Sequence, residues 1–263
     1  MNPCRYLLFV LVAGLLAGCN GEAADTGDIN ILVFSKTDGY RHQSIPSAIR
    51  ALRQLADDHN VAIDTTEDAT AFTLDSLSKY DAVVFLLTTG DVLDDDQQHA
   101  FTRFIRAGGG FVGIHSASDT EHDWPWYGEL VGGFFNGHPF NPNVREGTVL
   151  VADASHPSTR MLPATWVRTD EWYDFHNFRD GITILLNVDE ASYKRSEENP
   201  APEPRPIAWF HEFDGGRSFY TALGHTEASY SDSLFLAHIW GGLGTVLGEK
   251  GEYLSTGTTQ LSK

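Results

Sequence analysis

The densest run of chemically competent residues is Gly108-Gly109-Gly110-Phe111-Val112-Gly113-Ile114-His115-Ser116-Ala117-Ser118-Asp119. A glycine-rich turn feeds an apolar stretch that ends in small polar residues. That is the layout of a nucleophile elbow, with His115 where serine or cysteine would stand. The plainer reading is a turn that needs small residues and a histidine that caps it. Three more histidines sit in glycine-rich or turn contexts: His42 in Gly39-Tyr40-Arg41-His42, His138 in Gly137-His138-Pro139, and His225 in Leu223-Gly224-His225-Thr226. Taken singly, each such histidine is more often structural. Together with His115 they could form an imidazole cluster fit for Zn, Mn or proton transfer. No pair has tight metal-ligand spacing such as H-E-x-x-H. His59, His99 and His238 fall on expected helices and read as packing or surface residues, and His156, before Pro157, as a turn residue.

A second dense feature is Asp170-Glu171-Trp172-Tyr173-Asp174-Phe175. In an extended segment adjacent side chains point to opposite faces, so one carboxylate could face a site and the other water. Aromatic neighbours desolvate a carboxyl and raise its pKa, which suits a general acid or base. The competing reading is a strand edge with solvated acids. Trp124, Trp126 and Tyr127 make an aromatic loop after the elbow, suited to sugar rings and equally to core packing. Ser116 and Ser118 stand in no convincing Gly-x-Ser-x-Gly frame, which argues against a serine hydrolase.

These residues need a scaffold. Residues 29–36 pattern as a buried strand. Residues 44–59 have helical spacing at Ile45, Ile49, Leu52 and Leu55, with Ser44 as the expected N-cap and Pro46 in the first turn. Residues 61–66 form a short strand, and residues 80–89 hold an apolar run typical of a strand covered on both faces. Residues 94–107 read as a helix with acids first and Arg103 and Arg106 last, matching its dipole. The triple glycine stops it, and residues 111–115 are the next strand. Further strands are expected at 147–152, 183–188, 206–213 and 217–223, a loop at 192–206 and a closing helix at 231–247. This order implies right-handed crossovers and a mostly parallel sheet. Ligands bind such sheets beyond the carboxyl ends of the strands, which selects residues 35–42, 88–91 and 115–119 as site-facing.

The chain has 263 residues, of which 18 are basic and 36 acidic, for a formal net charge of -18. That balance argues against a nucleic-acid surface and against charge-driven attachment to anionic lipid. Its two cysteines, Cys4 and Cys19, both lie in the first twenty residues. The folded body therefore has no disulfide frame, cysteine metal site or thiol nucleophile. Arg5, an apolar run over residues 6–17 and Leu16-Ala17-Gly18-Cys19 match a bacterial lipoprotein signal. The expected division is a signal peptide over 1–18, lipid-anchored Cys19 opening a tether over 19–28, one domain over 29–248 and a tail over 249–263. The expected location is the bacterial cell envelope, with membrane contact through the lipid alone and outer-membrane sorting favoured.

The motifs at 108–119, Gly137-His138-Pro139, Asp170-Glu171-Trp172-Tyr173 and Pro206-Ile207-Ala208-Trp209 resemble the ThuA-like (trehalose utilisation) family. So do Gly216-Arg217-Ser218-Phe219-Tyr220-Thr221-Ala222-Leu223-Gly224-His225 and the opening Lys36-Thr37-Asp38-Gly39-Tyr40-Arg41-His42. The resemblance covers roughly residues 29–248. It implies an α/β fold, a flavodoxin-like three-layer sandwich similar to class I glutamine amidotransferases. Those enzymes carry cysteine at the elbow; His115 stands there in this chain, which excludes their thioester chemistry. The family is associated with carbohydrate metabolism, including oxidised (3-keto) glycosides. The implied activity is acid/base cleavage of a sugar or glycoside, with or without a divalent metal. Glu171 would be the base or acid, and His115 and His225 would polarise oxygens directly or through Zn or Mn, with His138 as a further ligand. Asp119 would orient a histidine, and Tyr40, His42, Trp124, Trp172 and Tyr173 would contact the sugar. The rival reading is a tethered carbohydrate-binding domain without catalysis. It expects affinity to depend on Trp124 and little on His115.

Overall fold

A computed structural model describes residues 29–193 and 205–256. The expected signal peptide, the tether as far as residue 28 and most of the 192–206 loop lie outside the described residues. In chain order the elements begin β1 (Asn30–Phe34), α1 (Ile45–Asp58), β2 (Ala62–Thr66), α2 (Leu74–Leu77), β3 (Ala82–Leu86) and α3 (Asp95–Arg106). Next come β4 (Gly110–Ile114), α4 (Pro125–Val131), β5 (Phe134–Gly137), β6 (Val144–Val151), β7 (Thr165–Glu171) and β8 (Asp174–His176). The chain continues with β9 (Thr183–Asp189), α5 (Glu190–Tyr193), β10 (Arg205–Phe213), β11 (Gly216–Thr221), α6 (Ser233–Val246) and α7 (Glu249–Thr256). No described helix is long and apolar enough to cross a membrane.

The main sheet has strand order β2-β1-β3-β4-β11-β10-β9-β6-β7 among the described residues. The first five strands pair in parallel, and the last four are added antiparallel. Only β10 and β6 run against the rest, so seven of the nine strands share one direction. Helix α1 and the closing α6 meet on one face, where His59 stacks on Trp240. Helices α3 and α4 cover the other, where Phe101 meets Trp126. The result is a three-layer α/β sandwich of flavodoxin-like type.

Local chemistry explains most elements. All five side chains of β3 are buried, as expected for a central strand between two helix layers. Helix α1 buries Ile45, Ala48, Leu52 and Ala56, one stripe at 3.6-residue spacing. Ser44 does not cap it: its backbone is already helical and its side chain makes no cap bond. Helix α3 opens with a full capping box between Asp94 and Gln97, with Asp95 and Asp96 in its first turn and Arg103 and Arg106 in its last. Gly108, at φ +101°, supplies the left-handed residue that ends it. The described part of the expected tail, Glu249–Thr256, is a helix, and Leu254 on it is buried.

The antiparallel half is not flat. Four strand spacings of ~4.8 Å would put β7 roughly 19 Å from β11. Yet Asp170, near the end of β7, accepts the backbone N–H groups of Gly224 and His225, just past β11, both at 3.0 Å. The sheet must therefore curl back on itself. Register shifts between Pro206 and Trp209, where β10 pairs with β9, supply bending points.

Strand β7 was expected to have one acid facing water; both are buried, Asp170 at 0% and Glu171 at 3% exposure. Asp170 faces inward, paired with Arg168 at 2.9 Å. Arg168 also donates to Ser229 Oγ and lies over the Trp166 and Phe235 rings. Removing one partner of a buried ion pair costs ~3–5 kcal/mol. Arg168→Ala should lose about that much in chemical denaturation, and a loss below ~1 kcal/mol would show that the pair does not hold the curl.

Candidate functional site

The turn after β4 begins at His115, whose φ is +54°. This unusual backbone angle for a non-glycine residue projects the imidazole out of the sheet's carboxyl edge. Ser118 and Tyr220 brace the turn: Tyr220 Oη donates to the His115 carbonyl at 2.7 Å and lies 2.8 Å from Ser118 Oγ. His115 is fully buried, and its Nδ1 lies 2.6 Å from the Ala222 carbonyl. A carbonyl can only accept, so Nδ1 carries a proton and the bond turns Nε2 toward the site.

Three atoms converge on Nε2. Tyr173 Oη lies 2.8 Å from it, His225 Nδ1 3.1 Å and Glu171 Oε2 3.4 Å. His225 Nδ1 is 3.0 Å from the same carboxylate oxygen. His42 completes the group, with its ring centre 4.8 Å from that of His115 and 5.1 Å from that of His225. One ligand atom each from His42, His115, Glu171 and His225 fit within 4.8 Å of one another. The other oxygen of Glu171 accepts from Asn143 Nδ2 at 2.6 Å and faces His138 Nε2 at 3.5 Å.

Burial opposes ionisation of Glu171, but hydrogen bonds from His115 and His225 and their charge outweigh it. The carboxyl is held well below the usual range. The sequence-level expectation of a raised carboxyl pKa is reversed, because imidazoles rather than rings surround it. Burial, then the neighbouring His115 and His225, push His42 down to about 2, which keeps it a neutral ligand. Burial raises the Tyr173 phenol well above its ordinary value, and Glu171 adds to the effect.

The group lies against a cavity of about 440 Å³. His42, Glu171, Tyr173 and His225 line it, as do Tyr40 and His138 at its mouth. Among the described residues lining it there is no lysine or arginine. A second hollow of about 410 Å³ lies by α6 and α7, with no histidine among its lining residues.

Four sequence-based placements change. Trp172 is fully buried away from the cavity, its indole donating to the Arg145 carbonyl and its ring 5.8 Å from Tyr193. Strand alternation explains this: Glu171 faces the site, so its neighbour faces away. Trp124 stacks on Trp126 at 5.0 Å and on Tyr127 at 6.0 Å and is not a lining residue. Asp119 lines the cavity but bonds His122 at 2.9 Å, so it orients none of the clustered imidazoles. His138 contacts Glu171 from the outer side and is not one of the four grouped residues. Tyr40 is 62% exposed, with its ring edge-on to His42. Asn143 and Asp170 were missed as site-shaping residues; a turn asparagine and an acid next to the chosen acid carry no distinguishing signal. His238, expected to pack, does so: burial pushes it down to about 3 while it bonds the Ser158 carbonyl and Thr221.

The family model described as "Trehalose utilisation" matches residues 30–244. The chain belongs to the ThuA family. Among solved structures it is similar to a putative ThuA-like protein from Bacteroides uniformis, at 20% identity and a TM-score of 0.70, over 84% of this chain and 92% of that one. A putative ThuA-like protein from Parabacteroides merdae is similar at 20% identity and a TM-score of 0.61, over 90% and 93%. A cytoplasmic protein of Salmonella typhimurium LT2 shares the fold at 13% identity and a TM-score of 0.58, over 83% and 99%. No curated protein matches the chain by sequence. Membership of the ThuA family points to a carbohydrate-related role.

The ring-nitrogen assignment is open to direct measurement. Long-range ¹H–¹⁵N correlation spectra should show His115 protonated at Nδ1. The opposite tautomer would contradict the bond to Ala222.

Proposed function

We propose that this ThuA protein is an enzyme that processes an uncharged sugar or glycoside by acid/base chemistry, with Glu171 as the base. The observation that carries the reading is a buried carboxylate on a cavity wall, with His225 on one oxygen and His138 and Asn143 on the other. A group of this kind can take a proton without water competing for it. Family membership, with its carbohydrate-related role, supports a sugar as the substrate. The lining supports the charge preference: a phosphorylated or acidic sugar would meet the carboxylates of Asp119 and Glu171, with no lysine or arginine among the described lining residues to receive it. The volume falls within the ordinary range for small-molecule sites.

A 3-keto-glycoside fits this chemistry. The keto group acidifies the adjacent C–H, so Glu171 takes that proton. The electron pair left behind forms a carbon–carbon double bond as the C–O bond to the aglycone breaks. The departing oxygen gains a proton, and His138, on the outer side of Glu171, is placed to give it. No oxocarbenium ion is needed. Tyr40, 62% exposed on the cavity lining, offers a ring face for the sugar, whereas Tyr173 is packed between His115 and Phe135. The lipobox at Leu16-Ala17-Gly18-Cys19 supports an exported, lipid-anchored enzyme of the bacterial cell envelope.

General base catalysis contributes ~10²–10⁴-fold. Glu171→Gln should lower aglycone release from a 3-keto-glycoside by at least ~100-fold while the protein stays folded. Equal rates in the variant and the wild type would remove Glu171 from the mechanism. Binding of the glycoside with no turnover by the wild type would replace the enzyme with a binding domain.

A further inference from the structure

We propose that His115 Nε2, His225 Nδ1 and Glu171 Oε2 form the ligand face for one divalent transition-metal ion, with His42 as a fourth donor. The inference stands on the donor atoms and does not depend on the sugar chemistry above.

The first argument is spacing. Ligands at ~2.1 Å from one ion lie ~3.0 Å apart at right angles and ~3.4 Å apart at tetrahedral angles. The three edges here are 3.1, 3.0 and 3.4 Å. His42 offers the fourth donor, and the four atoms all lie within 4.8 Å of one another.

The second argument is the donor set, which points the same way. His115 Nδ1 is committed to the Ala222 carbonyl, so Nε2 is the ring atom turned to the cluster. Nε2, His225 Nδ1 and Glu171 Oε2 face one point, and a bound ion would displace the Tyr173 hydroxyl, 2.8 Å from Nε2. An ion there would also compensate the burial of a carboxylate whose cavity has no lysine or arginine among its described lining residues.

The third argument is orientation. A metal-ligating histidine usually donates its other ring N–H to a carbonyl or carboxylate, which fixes tautomer and ring plane. His115 does so with Ala222. The ligating oxygen belongs to a carboxylate whose other oxygen is held by Asn143, which serves the same purpose. The elbow therefore presents a ligand where it could have presented a nucleophile. Mixed imidazole and carboxylate donors suit Zn, Mn or Fe, and disfavour Ca and Mg, which prefer all-oxygen sites.

The test uses untagged full-length protein, stripped with chelator and titrated separately with ZnCl₂ and MnCl₂ by calorimetry, with elemental analysis after dialysis. The expected result is one ion of at least one of the two metals per chain, bound at micromolar affinity or tighter, with a raised melting temperature. Glu171→Gln and His225→Ala should each weaken binding at least as much as the ~10–100-fold loss that removal of an outer partner causes. His122→Ala, a histidine outside the donor set, should bind as the wild type does. Circular dichroism establishes that each variant is folded, and the isosteric Glu171→Gln guards against collapse of the site. A folded wild type that retains neither metal overturns the proposal. So does binding by Glu171→Gln and His225→Ala that equals binding by His122→Ala.

Discussion

The carboxylate of Asp170 ties the two halves of the molecule together. It takes the backbone N–H groups of Gly224 and His225 from the parallel half, and it is itself carried on the last antiparallel strand. Its own charge is compensated by Arg168, which is held between Trp166 and Phe235. Without this link the curl of the sheet would have no reason to bring Glu171 within 3.0 Å of His225. Gly224 is at φ +114°, and a Cβ there would come within 2.8 Å of the Tyr230 hydroxyl, so the loop that meets Asp170 requires glycine.

From that link the site follows. Adjacent residues of an extended strand face opposite ways, so fixing Asp170 inward turns Glu171 toward the cavity and Trp172 away from it. The elbow at His115 is fixed independently by Tyr220, Tyr173 and the Ala222 carbonyl. The two supports meet at one carboxylate oxygen. That convergence makes a buried anion tolerable, and it leaves an ionised base or ligand where water is scarce.

The parallel half of the fold was legible in the sequence because its strands and helices bury apolar stripes at regular spacing. The rule that sites lie beyond strand carboxyl ends brought out His42 and His115, and the glycine-rich turn at Leu223-Gly224-His225 brought out His225. Strand β7 was not recognised beyond its last residues, since its buried face is Trp166, Arg168 and Asp170. A buried ion pair looks like a solvated one in sequence. Strands β5 and β8 are too short to leave a period. Trp124 and Trp172 were assigned to the sugar on residue type, and strand parity and core packing sent them elsewhere. Asn143 came from a loop with turn chemistry of its own, so nothing marked it as a partner of Glu171.

The account rests on Asp170 holding the Gly224 and His225 amides inside the protein. Native-state hydrogen exchange measures this at those two positions. Both amides should exchange as slowly as those of the central strands β3 and β4, opening only with global unfolding. Fast exchange at either amide, at rates typical of surface loops, would show that the tie is not made and that Glu171 and His225 are not held together.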